Sequence, residues 1–311
     1  TLKDLTDCWT NPSKYFCTRT LRVHLGHELD EGADEETFAL SDMDKGWIRS
    51  RMLAGALAGT RDADGEQRRF IADGSLPPNE LGRAWHGALW RDVATVMAAI
   101  PDHGAPATIP VTIEGDGWRL TGRIDGVRAG VRYAVRAGTM GAEPRLRAWI
   151  EHLAMLAARE QGEPRLPGET NLVWRKGEKA QTASFGPVTA PTAKLAALVN
   201  AARDARRAPL PFFAQAGTAW ASATFAPAPA PKGKGKKGGS PSTKAPKDPR
   251  EEARQAYHAQ PRDHSSGGDA QDAYVALCFR GVDPMADRWE EFEALAQRLF
   301  DGWDEAQAGN A

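Results

Sequence analysis

The sequence predicts an α/β (α+β) fold: a mixed sheet flanked by helices, with helical N- and C-terminal extensions. Three observations carry that expectation. Apolar residues keep helical period up to Ile100, alternate between Ile109 and Val135, and return to helical period from Leu146. Breakers stand at the switch, because Pro101 ends the helical run and Gly115-Asp116-Gly117 divides the first two alternating stretches. A further apolar run from Asn171 to Trp174 follows the second helix, so the core reads helix, three strands, helix, strand.

Each element follows in order. Residues 1–80 read as a mainly helical segment: Leu5 and Trp9 lie at helical spacing before the Asn11-Pro12 turn. From Ser41 to Leu57, Met43, Trp47, Ile48, Met52, Leu53 and Leu57 share one helix face. Between them, Glu28 to Glu36 is an acidic run of the kind that forms a solvated loop. Residues 81–225 hold the α/β core, opened by Trp85, Leu89, Val93, Val96, Met97 and Ile100 in helical period. The strands carry Ile109-Val111-Ile113, Trp118-Leu120-Gly122-Ile124 and Val131-Tyr133-Val135, and Leu146 to Leu156 forms an amphipathic helix. Thr192 to Arg206 reads as one more helix. Residues 226–250 are rich in Lys, Pro, Ala and Gly and bury too little apolar surface to order themselves. Residues 251–311 end in a helix with an aromatic face, Trp289, Phe292, Leu295, Ala296, Leu299, Phe300 and Trp303.

Composition narrows the function classes. A net charge of −1 gives no global basic character, and no stretch approaches a membrane span. The chain opens on Thr1 without Met or a signal-peptide pattern, which reads as part of a longer protein or a processed start. Cys8, Cys17 and Cys278 are too few and too scattered for a disulfide framework, so the cytoplasm is the expected compartment. His24 and His27 lack acidic or thiol partners at ligand spacing, which argues against zinc.

Chemistry-bearing residues concentrate in three places. Gly82-Arg83-Ala84-Trp85-His86-Gly87-Ala88-Leu89-Trp90 opens the core helix. Gly122-Arg123-Ile124-Asp125-Gly126 ends the second strand, and Tyr133-Ala134-Val135-Arg136-Ala137-Gly138 forms the third. Their order and spacing resemble the nuclease domain of the RecB-type PD-(D/E)XK superfamily, with its G-x-x-x-H-x-x-L-E helix, G-x-I-D hairpin and D-x-K strand. The resemblance implies carboxylates on adjacent strands that hold a divalent cation, which activates water, beside a charge-stabilising lysine. His86 and Asp125 stand at two of those positions. Trp90 takes the place of the helical glutamate, Ala134 that of the second carboxylate and Arg136 that of the lysine. Neither a methyl group nor an indole ligates magnesium, so the resemblance implies an inactivated site with no metal and no cofactor of its own.

The rest of the chain resembles RecC-type subunits of exodeoxyribonuclease V (RecBCD), at their C-terminal end. The segments concerned are Leu5-x-x-x-Trp9-x-Asn11-Pro12-x-x-Tyr15-Phe16, Glu36-x-Phe38-x-Leu40 and Ala72-Asp73-Gly74-Ser75-Leu76-Pro77. Arg147-Ala148-Trp149-Ile150-Glu151-His152-Leu153, Pro209-Leu210-Pro211, Ala219-Trp220 and Asp272-Ala273-Tyr274 continue them. AddB-type subunits of the same superfamily hold an iron–sulfur cluster, for which the cysteines here are too few. The resemblance implies a non-catalytic domain in DNA double-strand break repair and recombination, with RecB-like and RecD-like partners and DNA. Magnesium and ATP would serve those partners, since no phosphate-binding loop motif is present here. Phosphate contacts are expected from Arg123, Arg128, Arg132 and Arg136, and from Lys232, Lys234, Lys236 and Lys237. Two other readings stay open. One is a magnesium-dependent exonuclease using Asp125 with Glu114, Asp116 or Glu143; the other is a free-standing DNA-binding adaptor working through the lysine-rich arm.

Overall fold

A computed structural model describes residues 1–25, 40–60, 62–101, 104–226, 247–261 and 267–307. The acidic run at Glu28–Glu36, His27, and Lys232, Lys234, Lys236 and Lys237 lie outside them. In chain order the elements are α1 (Leu2–Thr10), α2 (Pro12–Tyr15), a π-helical turn (Phe16–Leu21), α3 (Asp42–Leu57), α4 (Ala63–Ala72) and α5 (Asn79–Met97). Then come β1 (Ala107–Gly115), β2 (Trp118–Arg128), β3 (Val131–Arg136), α6 (Ala142–Glu160), β4 (Thr170–Lys176), β5 (Lys179–Phe185) and α7 (Pro191–Asp204). The chain closes with α8 (Ala214–Thr224), α9 (Pro249–Tyr257), a 3-10 turn (Asp269–Gln271), α10 (Ala273–Cys278), α11 (Pro284–Asp287), α12 (Trp289–Leu299) and α13 (Trp303–Gln307).

The mixed sheet expected from the alternating stretches is present, in strand order β1-β2-β3-β4-β5. Only β3 and β4 pair in parallel within it; the other neighbours are antiparallel. A parallel pair needs a crossover, and α6 supplies it. Antiparallel neighbours need only tight turns. Asp116-Gly117 joins β1 to β2 with Gly117 at φ +68°, as an Asp-Gly hairpin requires.

The chain divides into two units. The first comprises residues 1–6, 24–196 and 305–311 and contains the sheet. Ile109, Val111, Ile113, Leu120 and Ile124 are buried, as alternation requires of a sheet with one covered face. Leu146, Trp149, Ile150, Leu153 and Met155 of α6 are buried too, on more than one side of the helix, which makes α6 a core helix rather than a surface one. Ile48 and Met52 of α3 pack with Leu89 and Val93 of α5, and Val96 and Ile100 pack on Val173 of β4.

The second unit comprises residues 7–23 and 197–304. Its interior is aromatic. Trp9 meets Phe212 edge-on at 5.4 Å and donates its indole N–H to the carbonyl of Leu198 at 3.2 Å. Phe213 lies 4.7 Å from Tyr257 and 5.4 Å from Phe279 between ring centroids. The aromatic face expected near the C-terminus lands here, with Phe292 stacked on Phe212 and Phe300 beside Trp220.

Candidate functional site

The site positions rest on α5, the end of β2, and β3. On α5, His86 faces inward and its Nε2 stands 3.4 Å from Glu66 Oε2 of α4. Both atoms are buried and neither completes a well-formed hydrogen bond. One turn later, Trp90 packs half-buried against the α3–α5 core. Sequence reading overlooked Asp92 just beyond it. Its carboxylate receives Arg49 of α3 at 2.9 Å and Arg175 of β4 at 3.2 Å. A carboxylate held between two guanidinium groups is already neutralised and offers little to a cation.

Asp125 sits where the β1–β2 ladder slips. Ile109 pairs with Ile124 but Ala107 pairs with Val127, so β2 carries an extra residue at Asp125-Gly126. Gly126 takes φ +80°, and a β-carbon there would meet the carbonyl oxygen of Tyr133 at 2.5 Å, so glycine is required. The bulge leaves Asp125 exposed, accepting a hydrogen bond from Thr108 Oγ1 at 2.8 Å and lying 3.5 Å from Arg123 Nε. Its carboxylate is thus engaged by the edge strand β1 and by its own strand. On β3, Ala134 pairs with Leu172 and Arg136 with Trp174 of β4. Alternation places both on the face of Arg132, whose guanidinium reaches α6.

The four strand arginines separate sharply. Arg123 and Arg136 are exposed. Arg128 is buried and donates to the carbonyl of Leu57 at the end of α3, at 2.6 Å. Arg132 is also buried, donating to the carbonyl of Ala148 and pairing with Glu151 of α6. The expectation of phosphate contacts at Arg128 and Arg132 therefore does not carry over, because their guanidinium groups are turned to protein acceptors and away from solvent.

Of the acids weighed as substitutes, Glu114 and Asp116 lie far from Asp125. Glu114 pairs in register with Arg119 at the opposite end of the hairpin and binds that arginine's side chain at 2.7 Å. From Arg119 to Asp125, strand rise gives roughly 20 Å, far beyond a shared cation's reach. Asp116 lies in the same distant turn, and Glu143 is exposed in the first turn of α6. Among the described residues, no group of three or more His, Cys, Asp or Glu is placed to hold a metal ion. One exposed carboxylate beside a guanidinium is a poor donor set for magnesium, which needs several hard oxygens.

The α6 motif does something different. Arg147 donates to Thr6 Oγ1 at 2.8 Å, and Trp149 is fully buried. The ring of His152 is held from both sides, Nδ1 3.0 Å from Thr170 Oγ1 and Nε2 2.8 Å from the carbonyl of Gly186. Burial, with a smaller contribution from Arg132, depresses its pKa to about 4, so it is a neutral clamp at physiological pH.

These features define a class: a mixed α/β domain on the plan helix, three strands, helix, strand, whose strand ends carry one carboxylate and a guanidinium in place of an acidic cluster. The family model of the RecC C-terminal domain matches residues 1–225, and the chain belongs to that family. The curated "RecBCD enzyme subunit RecC" of Mycobacterium tuberculosis, strains CDC 1551 / Oshkosh and ATCC 25618 / H37Rv, is 32% identical to it over 229 residues. That match covers 72% of this chain but 20% of each relative, so the chain spans about a fifth of their length. The family match ends before Asp272-Ala273-Tyr274. No described helix is long and apolar enough to cross a membrane.

Proposed function

We propose that this chain is the non-catalytic C-terminal domain of a RecC-like subunit, working in a RecBCD-type helicase–nuclease during DNA double-strand break repair. Its core is a PD-(D/E)XK nuclease fold without the metal chemistry, and it acts by docking partner subunits and guiding DNA. The observation that carries this reading is the state of Asp125. It is the one strand carboxylate at a nuclease position, and it is bound to Thr108 and Arg123 with Ala134 and Arg136 at the companion positions. The order α5-β1-β2-β3-α6-β4, with β3 parallel to β4, supports the superfamily assignment.

Docking is supported by an open groove of about 1110 Å³ in the first unit, lined by Leu40, Trp47, Ile71, Leu76, Pro77 and Leu81 among others. Trp47 and Leu81 in it remain 47% and 39% exposed, so the groove presents apolar surface to solvent. DNA guiding rests on Arg123 and Arg136, which contribute salt-sensitive, sequence-independent contacts. Magnesium and ATP belong to the RecB-like and RecD-like partners, and the assembly works on cytoplasmic DNA. Co-purification with a RecB-like subunit tests the reading. A stable complex is expected, weakened at least about tenfold by Trp47→Glu with Leu81→Glu, as loss of a buried aromatic anchor would do. Absence of any complex at micromolar concentration would contradict it.

A further inference from the structure

The second unit contains an arrangement that the linear sequence conceals. Cys17, in the π-helical turn, and Cys278, the last residue of α10, place their sulfurs 3.5 Å apart across 261 residues of chain. Cys17 is fully buried, whereas Cys278 is partly exposed and also lies 3.9 Å from the carbonyl of Ser13. The two segments are already registered nearby. Asn11 donates its side-chain N–H to Asp272 Oδ2 at 3.0 Å, and Asp272 caps α10 through the amides of Tyr274 and Val275. Cys8, the remaining cysteine, is buried separately with Tyr15 and Ala205.

We propose that Cys17 and Cys278 are a modification site, an oxidisable thiol pair that a low-molecular-weight disulfide converts into a crosslink within the second unit. Closing it moves the sulfurs together by about 1.5 Å, to the length of a disulfide bond. The exposed member reacts first. Cys278 loses its proton to solvent, and its thiolate attacks one sulfur of the reagent, expelling one small thiolate. Cys17 then loses its proton and attacks the Cys278 sulfur, expelling the second. Two protein thiols are oxidised to one disulfide, and the reagent is reduced to two thiols. Burial first, then the neighbouring Cys17 and the charge of Asp272, push the Cys278 thiol up to about 12. Thiolate is therefore scarce at neutral pH, and the first step accelerates about tenfold per pH unit below that value. Such a pair stays reduced in a thiol-rich compartment and closes when the disulfide-to-thiol ratio rises.

The test treats the full chain, purified reduced and kept folded, with excess oxidised glutathione at several pH values. Intact mass and peptide mapping should find a product lighter by two hydrogens, with Cys17 linked to Cys278 and Cys8 free. It should melt at a higher temperature, and the shift should vanish on reduction. Cys8→Ser should react unchanged, and Cys278→Ser should not react. Cys17→Ser should accumulate a glutathione adduct on Cys278, because the resolving thiol is gone. The proposal is overturned if the folded chain retains all its thiols under conditions that oxidise the urea-unfolded chain. A crosslink involving Cys8, or an unresolved adduct on Cys278 in the unsubstituted chain, would overturn it equally.

Discussion

Along α6, Arg147, Trp149, Glu151 and His152 each serve another part of the first unit: Thr6, the core, Arg132, and the Thr170–Gly186 pair. At the ends of β2 and β3, Asp125 is exposed and held by Thr108 and Arg123, while Arg136 is exposed. The α6 stretch carries the resemblance to RecC-type subunits, and the strand ends carry the resemblance to RecB-type nucleases. The α6 motif serves as scaffold: Glu151 and His152 meet buried groups, and Trp149 fills the core. The strand-end residues Asp125 and Arg136 are exposed instead. Under the proposed function, residues that hold the sheet together keep the fold while the strand ends do no hydrolysis.

Substitutions in α6 should have the largest effect. Glu151→Ala leaves Arg132 buried without its counter-charge, and we expect a loss of about 3–5 kcal/mol in urea unfolding. A loss below about 1 kcal/mol would mean that the clamp is ornamental. His152 gives a pH signature next. Its folded pKa is about 4 against an ordinary 6.5, so the unfolded chain takes up a proton first as pH falls. Stability from this group is complete above about pH 6.5 and declines towards pH 4, by up to about 3 kcal/mol. Tm measured across that range should show the decline in the unsubstituted chain and a shallower one in His152→Gln.

The strand ends should respond less. Gly126→Ala must strain φ and displace the Tyr133 carbonyl, costing about 1–3 kcal/mol in chemical denaturation. That effect belongs to the bulge rather than to the carboxylate beside it. Asp125→Ala and Arg136→Ala, at exposed positions, should each stay within about 0.5 kcal/mol of the unsubstituted chain. A larger loss at Asp125 would reveal a structural role that its surface contacts do not suggest.

Much of the fold was legible because periodicity reports burial. The switch at Pro101, the Asp116-Gly117 turn and the Leu146–Leu156 stripe lead directly to α5, the β1–β2 hairpin and α6. β5 escaped notice because only Phe185 in it is buried, so it shows no clear alternation. α4 escaped for a similar reason, with Phe70 its one buried residue. The site was half legible. The resemblance singled out His86, Trp90, Asp125, Ala134 and Arg136, but not their partners. Glu66 opposite His86, and Arg49 and Arg175 around Asp92, meet only in three dimensions. The bulge at Asp125-Gly126 also breaks the alternation on which a surface reading of the arginines depends. It turns Val127 inward, and Arg128 ends at the last turn of α3 instead of in solvent.

The proposed non-catalytic role requires that a nuclease-like scaffold work without metal chemistry of its own. Its most direct test is cleavage of linear double- and single-stranded DNA by the purified chain with magnesium or manganese. We expect no metal-dependent cleavage, and the same result from Asp125→Ala. Cleavage that requires the metal and disappears in Asp125→Ala would contradict it.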